Sequence, residues 1–333
     1  MNSYFKLNAE QQRTVITQAA AKVNLPLQAI EKDLWVTTIL QILFSLPISK
    51  NLVFKGGTSL SKIWGLIRRF SEDIDLAIDR QQFSIEGDLT IKQLKKLRKQ
   101  SSIFVKEELC KSLQDAIVQA GIQNLCSIEP ECDGEGDNTY PEPRKVYVRY
   151  QALFDELDYL KSEIVLEIGA RSLIEPTASH PVQSIISENF DIETALVNPD
   201  ITTALPEKTF LEKVFLLHEI FSGTGLMQAD RKSRHLYDLE KMMDKEFSIN
   251  AISDDELWNA IHHHREVFTR MSDVDYTPDI RQRICLIPPQ PVINDWQKDY
   301  ETMQGAMIYG DSLSFGELIS QMEELQNRFR IQK

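Results

Sequence analysis

The chain has 333 residues, with 42% hydrophobic and 26% charged side chains, enough for one large soluble domain or two ordinary ones. Its net charge of −13 argues against a protein that coats DNA through one broad basic face, while leaving local basic clusters able to steer a nucleic acid. No apolar run reaches the ~20 residues of a membrane span, the start lacks the apolar stretch of a signal peptide, and Cys110, Cys126, Cys132 and Cys285 form no CxxC pair; a cytoplasmic protein with reduced thiols and no membrane partner is expected.

Two helices are predicted first, over Ala9 to Val23 and Leu27 to Ser45. In the second, Ile30, Leu34, Thr38 and Ile42 fall on one stripe, as an amphipathic or buried helix requires. Leu52-Val53-Phe54 reads as a short strand running into the tight turn Lys55-Gly56-Gly57. A helix is expected from Thr58 to Ile67, and a second strand from Asp73 to Ile78, where acid and apolar residues alternate. Thr90 to Ala120 is a long, highly charged helical stretch. Leu125 to Ile128, Val146 to Phe154 and Ile164 to Ile168 read as strands, with an exposed loop at Glu129 to Pro143. From about Pro206 the patterns are helical: Lys208 to Phe221, Lys232 to Asp244, Asp254 to Phe268 and Phe315 to Arg330. The expected class is α+β: a mixed sheet with flanking helices over residues 1–175, then a mostly helical domain over 176–333 that completes the active site.

The chemistry centres on Asp73-Ile74-Asp75. Residues i and i+2 of a strand share a face, so both carboxylates project together while Ile74 and Leu76 face the core. Two such charges repel unless a cation lies between them, and a hard divalent ion, Mg²⁺ before Mn²⁺, meets that need. Asp79 lies too far along the strand to join. The upstream Gly56-Gly57 turn lets the backbone approach a ligand, and the helix start behind it offers N–H groups along with the Thr58 and Ser59 hydroxyls, a cradle for a triphosphate. Neither a Walker loop nor a dinucleotide fingerprint is present. Glu167, a lone acid in an apolar strand with Gly169 leaving room beside it, is the candidate third carboxylate of a two-metal site; an inward charge on an edge strand is the alternative.

Phe54-Lys55-Gly56-Gly57-Thr58-Ser59-Leu60, followed by Arg69-Phe70-Ser71-Glu72-Asp73-Ile74-Asp75-Leu76, resembles the first motif of the AbiEii/AbiGii-type toxins, which include the MenT-like toxins, within the DNA polymerase β-like nucleotidyltransferase superfamily. Ile30-Glu31-Lys32-Asp33-Leu34-Trp35 resembles that family's N-terminal helix signature, Lys208 to Lys213 its central lysine motif, and Arg231 to Leu239 its last motif. Leu34 and Leu211 depart from the aromatic residues common there, which bears on packing only. The resemblance implies a toxin-type enzyme of a bacterial toxin–antitoxin or abortive-infection pair. It would move a nucleotide from an NTP to an acceptor, the 3′ end of tRNA being the leading candidate, and be opposed by a cognate antitoxin. It also assigns Asp73, Asp75, Lys213 and Asp238 to catalysis, and Lys213 to the triphosphate.

Other residues are read more loosely. Arg68, Arg69 and Ser71 precede the acidic strand and could contact phosphate. Asp238 could pair with Arg234 at i,i+4 or orient Lys213. Lys92, Lys95, Lys96, Arg98 and Lys99 form a basic run that either faces RNA or solvates its helix. His262-His263-His264 cannot converge on one ion, because consecutive helical residues point about 100° apart. Rival functions are transfer to a small molecule or protein side chain, γ-phosphate transfer, and a non-catalytic NTP-binding protein.

Overall fold

The computed structural model describes residues 3–71, 73–136, 139–156, 160–223 and 227–331. α1 (Ala9–Val23) begins at Asn8, where the Asn8 and Gln11 side chains each accept the other's main-chain N–H, and it ends on Asn24 in the left-handed conformation. α2 (Leu27–Ser45) is buried around nearly its whole circumference, which is why its apolar residues exceed a single stripe. Its polar residues are structural ties. Glu31 accepts from Leu153 N–H at 2.7 Å, and Asp33 accepts from Ile185 N–H at 2.7 Å and pairs with Lys62.

A mixed sheet of seven strands holds β1 (Leu52–Lys55), β2 (Asp73–Ile78), β3 (Cys126–Pro130), β4 (Arg144–Tyr150), β5 (Glu163–Gly169), β6 (Thr177–His180) and β7 (Ile201–Ala204) in the order β3-β4-β5-β2-β1-β7-β6. β2 runs antiparallel to β1 and parallel to β5, so it lies inside the sheet. α3 (Gly56–Lys62) follows β1 and packs on β2. The charged stretch forms α4 (Ile91–Phe104), a π-helical turn (Val105–Leu109) and α5 (Cys110–Gln119), and α6 (Ile185–Asn189) precedes β7. These elements constitute one compact unit, Met1–Ile63 with Ser71–Ala204. The sheet unit therefore continues past residue 175 to Ala204, through β6, α6 and β7.

The second unit, Trp64–Phe70 with Leu205–Lys333, is helical. It contains α7 (Pro206–Ser222), α8 (Arg234–Met242), α9 (Glu246–Ser253), α10 (Asp255–Phe268), α11 (Ile293–Ala306) and α12 (Phe315–Arg330). α7 opens with proline at its first position, where the missing N–H costs no helical bond. Its expected stripe, Phe210, Val214, Leu217 and Phe221, is buried, and Phe215 and Phe210 pack on Trp258 and Phe329. The helix expected over 58–67 instead starts at Gly56 and stops at Lys62. Gly65, at φ +60°, turns the chain away, and residues 64–70 belong to the helical unit. No helix among the described residues is long and apolar enough to cross a membrane.

Candidate functional site

In the sheet unit, the turn at the end of β1 is built directly against Asp75. Gly56 sits at φ +79°, and a Cβ there would collide with the Asp75 carboxylate. Glycine is thus required twice over, for its backbone conformation and for the close approach. Thr58 donates its hydroxyl to the main-chain carbonyl of Asp73, and Ser59 donates to the Gly56 carbonyl at 2.9 Å. Both side chains are buried. The Thr58 hydroxyl thus fastens the turn to β2, and the Ser59 hydroxyl closes the turn on itself. Ser71 is half-buried just before β2, and Glu72, quoted in the first motif, lies outside the described residues.

Asp73 and Asp75 occupy the half-exposed face of β2, with Ile74 and Leu76 fully inside. This is the shared face that the alternation predicts. The strand register aligns Lys55, Asp75, Glu167 and Lys145 in one row across β1, β2, β5 and β4. Glu167 is thus the direct neighbour of Asp75. Its carboxylate is taken by the Lys145 ammonium at 3.1 Å, and Lys145 also feels Asp73 electrostatically. The space that Gly169 was expected to leave beside Glu167 is filled by the Glu142 carboxyl, whose Oε1 would lie 2.7 Å from an added Cβ. Burial pushes Glu142 up to about 7, against the pull of the Ala170 N–H it accepts.

The donor set fits a hard cation in part. Two carboxylates on one strand face, one of them seated on a glycine, have the right chemistry. Among the described residues, however, no group of three or more His, Cys, Asp or Glu side chains lies together in a way that would hold a metal ion. Glu167 is adjacent by register but is held by its lysine. Lys55 and Lys145 were not identified from sequence, because strand register is not visible in either segment alone.

The helical unit gathers Arg69, Lys213, Asp238 and His235. Residues 68–70 run beside 307–309, with Phe70 N–H donating to the Met307 carbonyl and Tyr309 N–H to that of Arg68, and this directs Arg69 inward. Its guanidinium forks onto both Asp238 oxygens at 2.7 and 2.8 Å, and Lys213 donates to the same carboxylate at 2.9 Å. Arg69 is 2% exposed and Asp238 0%. The i,i+4 arrangement with Arg234 is therefore not what holds Asp238. The Lys213 ammonium also lies 3.3 Å from His235 Nδ1.

Electrostatics follow from this packing. Burial pushes the Asp238 carboxyl up, but the two cations more than offset it and hold it well below the usual carboxylate range. Burial lowers Lys213, partly countered by Asp238. Burial and the neighbouring Lys213 hold His235 far below its ordinary value, so it is neutral at pH 7. With Lys213 as donor, Nδ1 accepts and the ring proton resides on Nε2. Arg69, expected from sequence near phosphate, is buried with its guanidinium on Asp238. In the sequence His235 appeared only within the Arg231 to Leu239 motif.

The three consecutive histidines disperse as helical geometry requires. His262 Nε2 lies 3.1 Å from the Tyr276 carbonyl, and His264 stacks on Phe268.

The family described as "Nucleotidyl transferase AbiEii toxin, Type IV TA system" matches residues 39–322 of the chain. No curated protein matches it. Among solved structures, MenT4, a nucleotidyltransferase toxin from Mycobacterium tuberculosis H37Rv, is similar at 14% sequence identity and a TM-score of 0.48, over 96% of this chain and 98% of that one.

Proposed function

From the chain's membership of the AbiEii family of nucleotidyltransferase toxins, we propose that it transfers a nucleotide from an NTP to an RNA acceptor, the 3′ end of tRNA. The family places it in a toxin–antitoxin system, so a cognate antitoxin opposes it. The reading rests on one observation: the Asp75 carboxylate is packed against Gly56 at the turn while Asp73 shares its strand face.

In this proposal Asp73 and Asp75 hold a divalent cation, Mg²⁺ or Mn²⁺, and Glu167 joins them when it leaves Lys145. A cation held there supplies charge neutralisation for the triphosphate and the departing pyrophosphate. Since the Thr58 and Ser59 hydroxyls bond inward, phosphate binding at the turn falls to the main chain around Gly56, Gly57, Thr58 and Ser59, with Ser71 nearby in sequence. Lys213 has three donors, and Asp238 and His235 take two. The third serves a phosphate oxygen, with Asp238 fixing the ammonium and Arg69 fixing Asp238. An acceptor hydroxyl then attacks the α-phosphate in line, and pyrophosphate leaves.

The test is labelling of total RNA with each of the four NTPs, carrying α- or γ-label in separate reactions. Transfer of α-label alone is expected. Asp73→Ala with Asp75→Ala should reduce it by at least about a thousandfold, since these acids act on charge that develops in the transition state. Unchanged transfer by the double variant would sink the assignment. Label on protein or on a small molecule would move the acceptor away from RNA, and γ-label on product would make the reaction a phosphoryl transfer.

A further inference from the structure

α4 is the one charge run that the proposed chemistry does not use. Thr90 and Gln93 cap its start reciprocally, which fixes where the helix begins and hence which residues face outward. The segment Ile91–Phe104 contains Lys92, Lys95, Lys96, Arg98 and Lys99 and no acidic residue, in a chain whose net charge is −13. Lys92, Lys95, Lys96 and Lys99 are exposed. At 100° per residue they fall within an arc of roughly 100°, on a stripe about 10 Å long. Leu97 and Ser101 are buried on the opposite side.

None of the four lysines has an ion-pair partner among the described residues. This is unusual company for so many cations, since the chain has 50 acidic residues with which to pair them. Lys99 lies 5.3 Å from the centre of the Tyr140 ring, and Arg98 donates to the Tyr140 carbonyl at 2.6 Å. Arg98 and Arg171 are close enough to repel, which adds to the local positive potential.

We infer that the Lys92-Lys95-Lys96-Lys99 face of α4 docks the phosphodiester backbone of the RNA acceptor, an inference that rests on the RNA reading above. A row of unneutralised cations matches a linear polyanion, whose condensed counterions are released on contact. A protein partner fits less well, because lysine is depleted at protein interfaces and no apolar anchor lies within the stripe. A membrane surface fits less well too, because an interfacial helix needs an outward apolar face, and of its apolar residues α4 exposes only Ile91, at its first residue, while Leu97 is buried. Tyr140, half-buried beside Lys99, offers an aromatic edge to a base at one end of the row.

The experiment compares the wild-type chain, Lys92→Gln/Lys95→Gln/Lys96→Gln, and a charge-matched control, Lys6→Gln/Lys22→Gln/Lys50→Gln. Glutamine keeps helix propensity close to that of lysine. Binding of fluorescein-labelled total tRNA is measured by anisotropy between about 50 and 200 mM salt, the range over which backbone contacts are exposed. At 0.7–0.9 per contact, the stripe variant should lose about 2–3 from the slope of log K against log salt and bind roughly ten- to a hundredfold more weakly at physiological salt. Its KM for NTP should stay as in the wild type. The control should keep the wild-type slope.

Equal slopes for stripe variant and wild type would overturn the docking face and leave the RNA reading standing. A wild-type chain that binds no tRNA would overturn both. Competition by polyglutamate as effective as by tRNA, charge for charge, would overturn the nucleic-acid assignment in favour of an acidic protein.

Discussion

Replacing Asp238 by asparagine removes the anion that two buried cations, Arg69 and Lys213, share. The carboxylate meets Arg69 at 2.7 and 2.8 Å and Lys213 at 2.9 Å, with Asp238 fully inaccessible and Lys213 8% exposed. At an effective dielectric of about 20, each such pair is attractive by about 4 kcal/mol, or roughly 8 kcal/mol gross for two. Burial of the three ions takes back several kcal/mol per ion, so the intact cluster contributes little net stability. The variant is different, because Arg69 and Lys213 then lose the carboxylate they share and repel each other at close range. We expect a loss of about 3–5 kcal/mol, a large fraction of the ~5–15 kcal/mol typical of a folded protein. Arg69→Met should cost less, since it leaves the Lys213–Asp238 pair neutral. Asp238→Asn combined with Lys213→Met should recover part of the loss. Urea unfolding followed by tryptophan fluorescence would read this, with Trp258 and Trp296 both buried in the helical unit. A cost below about 1 kcal/mol for Asp238→Asn, or additivity in the double variant, would refute the argument that these ions balance one another.

The remaining predictions concern single atoms. Gly56→Ala should cost about 1–3 kcal/mol for its strained backbone and depress nucleotide transfer, because the new methyl displaces Asp75; Gly65→Ala, strained at φ +60° but with nothing within 4 Å, should lose stability without losing activity. His218 is held at about 4 by burial and accepts from Cys285 N–H at 3.2 Å, with Ser222 Oγ 2.9 Å from the same nitrogen. Between pH 6.5 and 4 the unfolded chain therefore binds more protons than the folded one, and stability falls with pH by up to about 3 kcal/mol. Urea midpoints at pH 7 and pH 5 should separate, and His218→Asn should bring them together. Lys145→Gln releases Glu167, so it should lower the Mg²⁺ concentration giving half-maximal transfer, while Glu167→Gln raises it. If Glu167→Gln left the Mg²⁺ dependence of transfer unaltered, the residue would be only the partner of Lys145.

What was legible in the sequence was local. The alternation of Asp73-Ile74-Asp75-Leu76 gives strand, face and burial at once, because a period of two needs no partner to be seen. The α7 stripe was equally plain, with Phe210, Val214, Leu217 and Phe221 at helical spacing. β7 was not, although it is the parallel neighbour of β1. Ile201-Thr-Thr-Ala has four residues and no alternation, and its strand character comes from pairing with a segment some 150 residues earlier. The ends of α3 were misjudged because Leu60, Ile63, Trp64 and Ile67 continue the helical period through Gly65, whose left-handed conformation ends it. The pairing of Arg69 was hidden for a related reason. Its carboxylate partner lies 169 residues away, so nothing beside the acidic motif signals that this loop arginine is buried against Asp238.

The lysines show why residue type alone carries so little. Lys213, Lys145 and Lys96 have the same side chain and nearly the same intrinsic basicity. Lys213 is enclosed by a shared carboxylate and an imidazole, so its charge is held by two acceptors and its last donor direction is defined. Lys145 is 43% exposed and meets a single half-buried glutamate, an arrangement that a cation arriving at Glu167 can undo at small cost, since exposed pairs contribute only ~0.2–1 kcal/mol. Lys96 meets no acid among the described residues and stays hydrated until a polyanion replaces its counterions. The number of acceptors around each ammonium, fixed by register and helix phase, thus separates the three proposed roles: phosphate binding at Lys213, a displaceable pair at Lys145 and docking at Lys96. The three should respond differently to salt. Raising ionic strength should leave the Lys213 cluster intact, weaken Lys145–Glu167 modestly, and reduce binding at Lys96 most steeply, because screening acts on charges in proportion to their exposure.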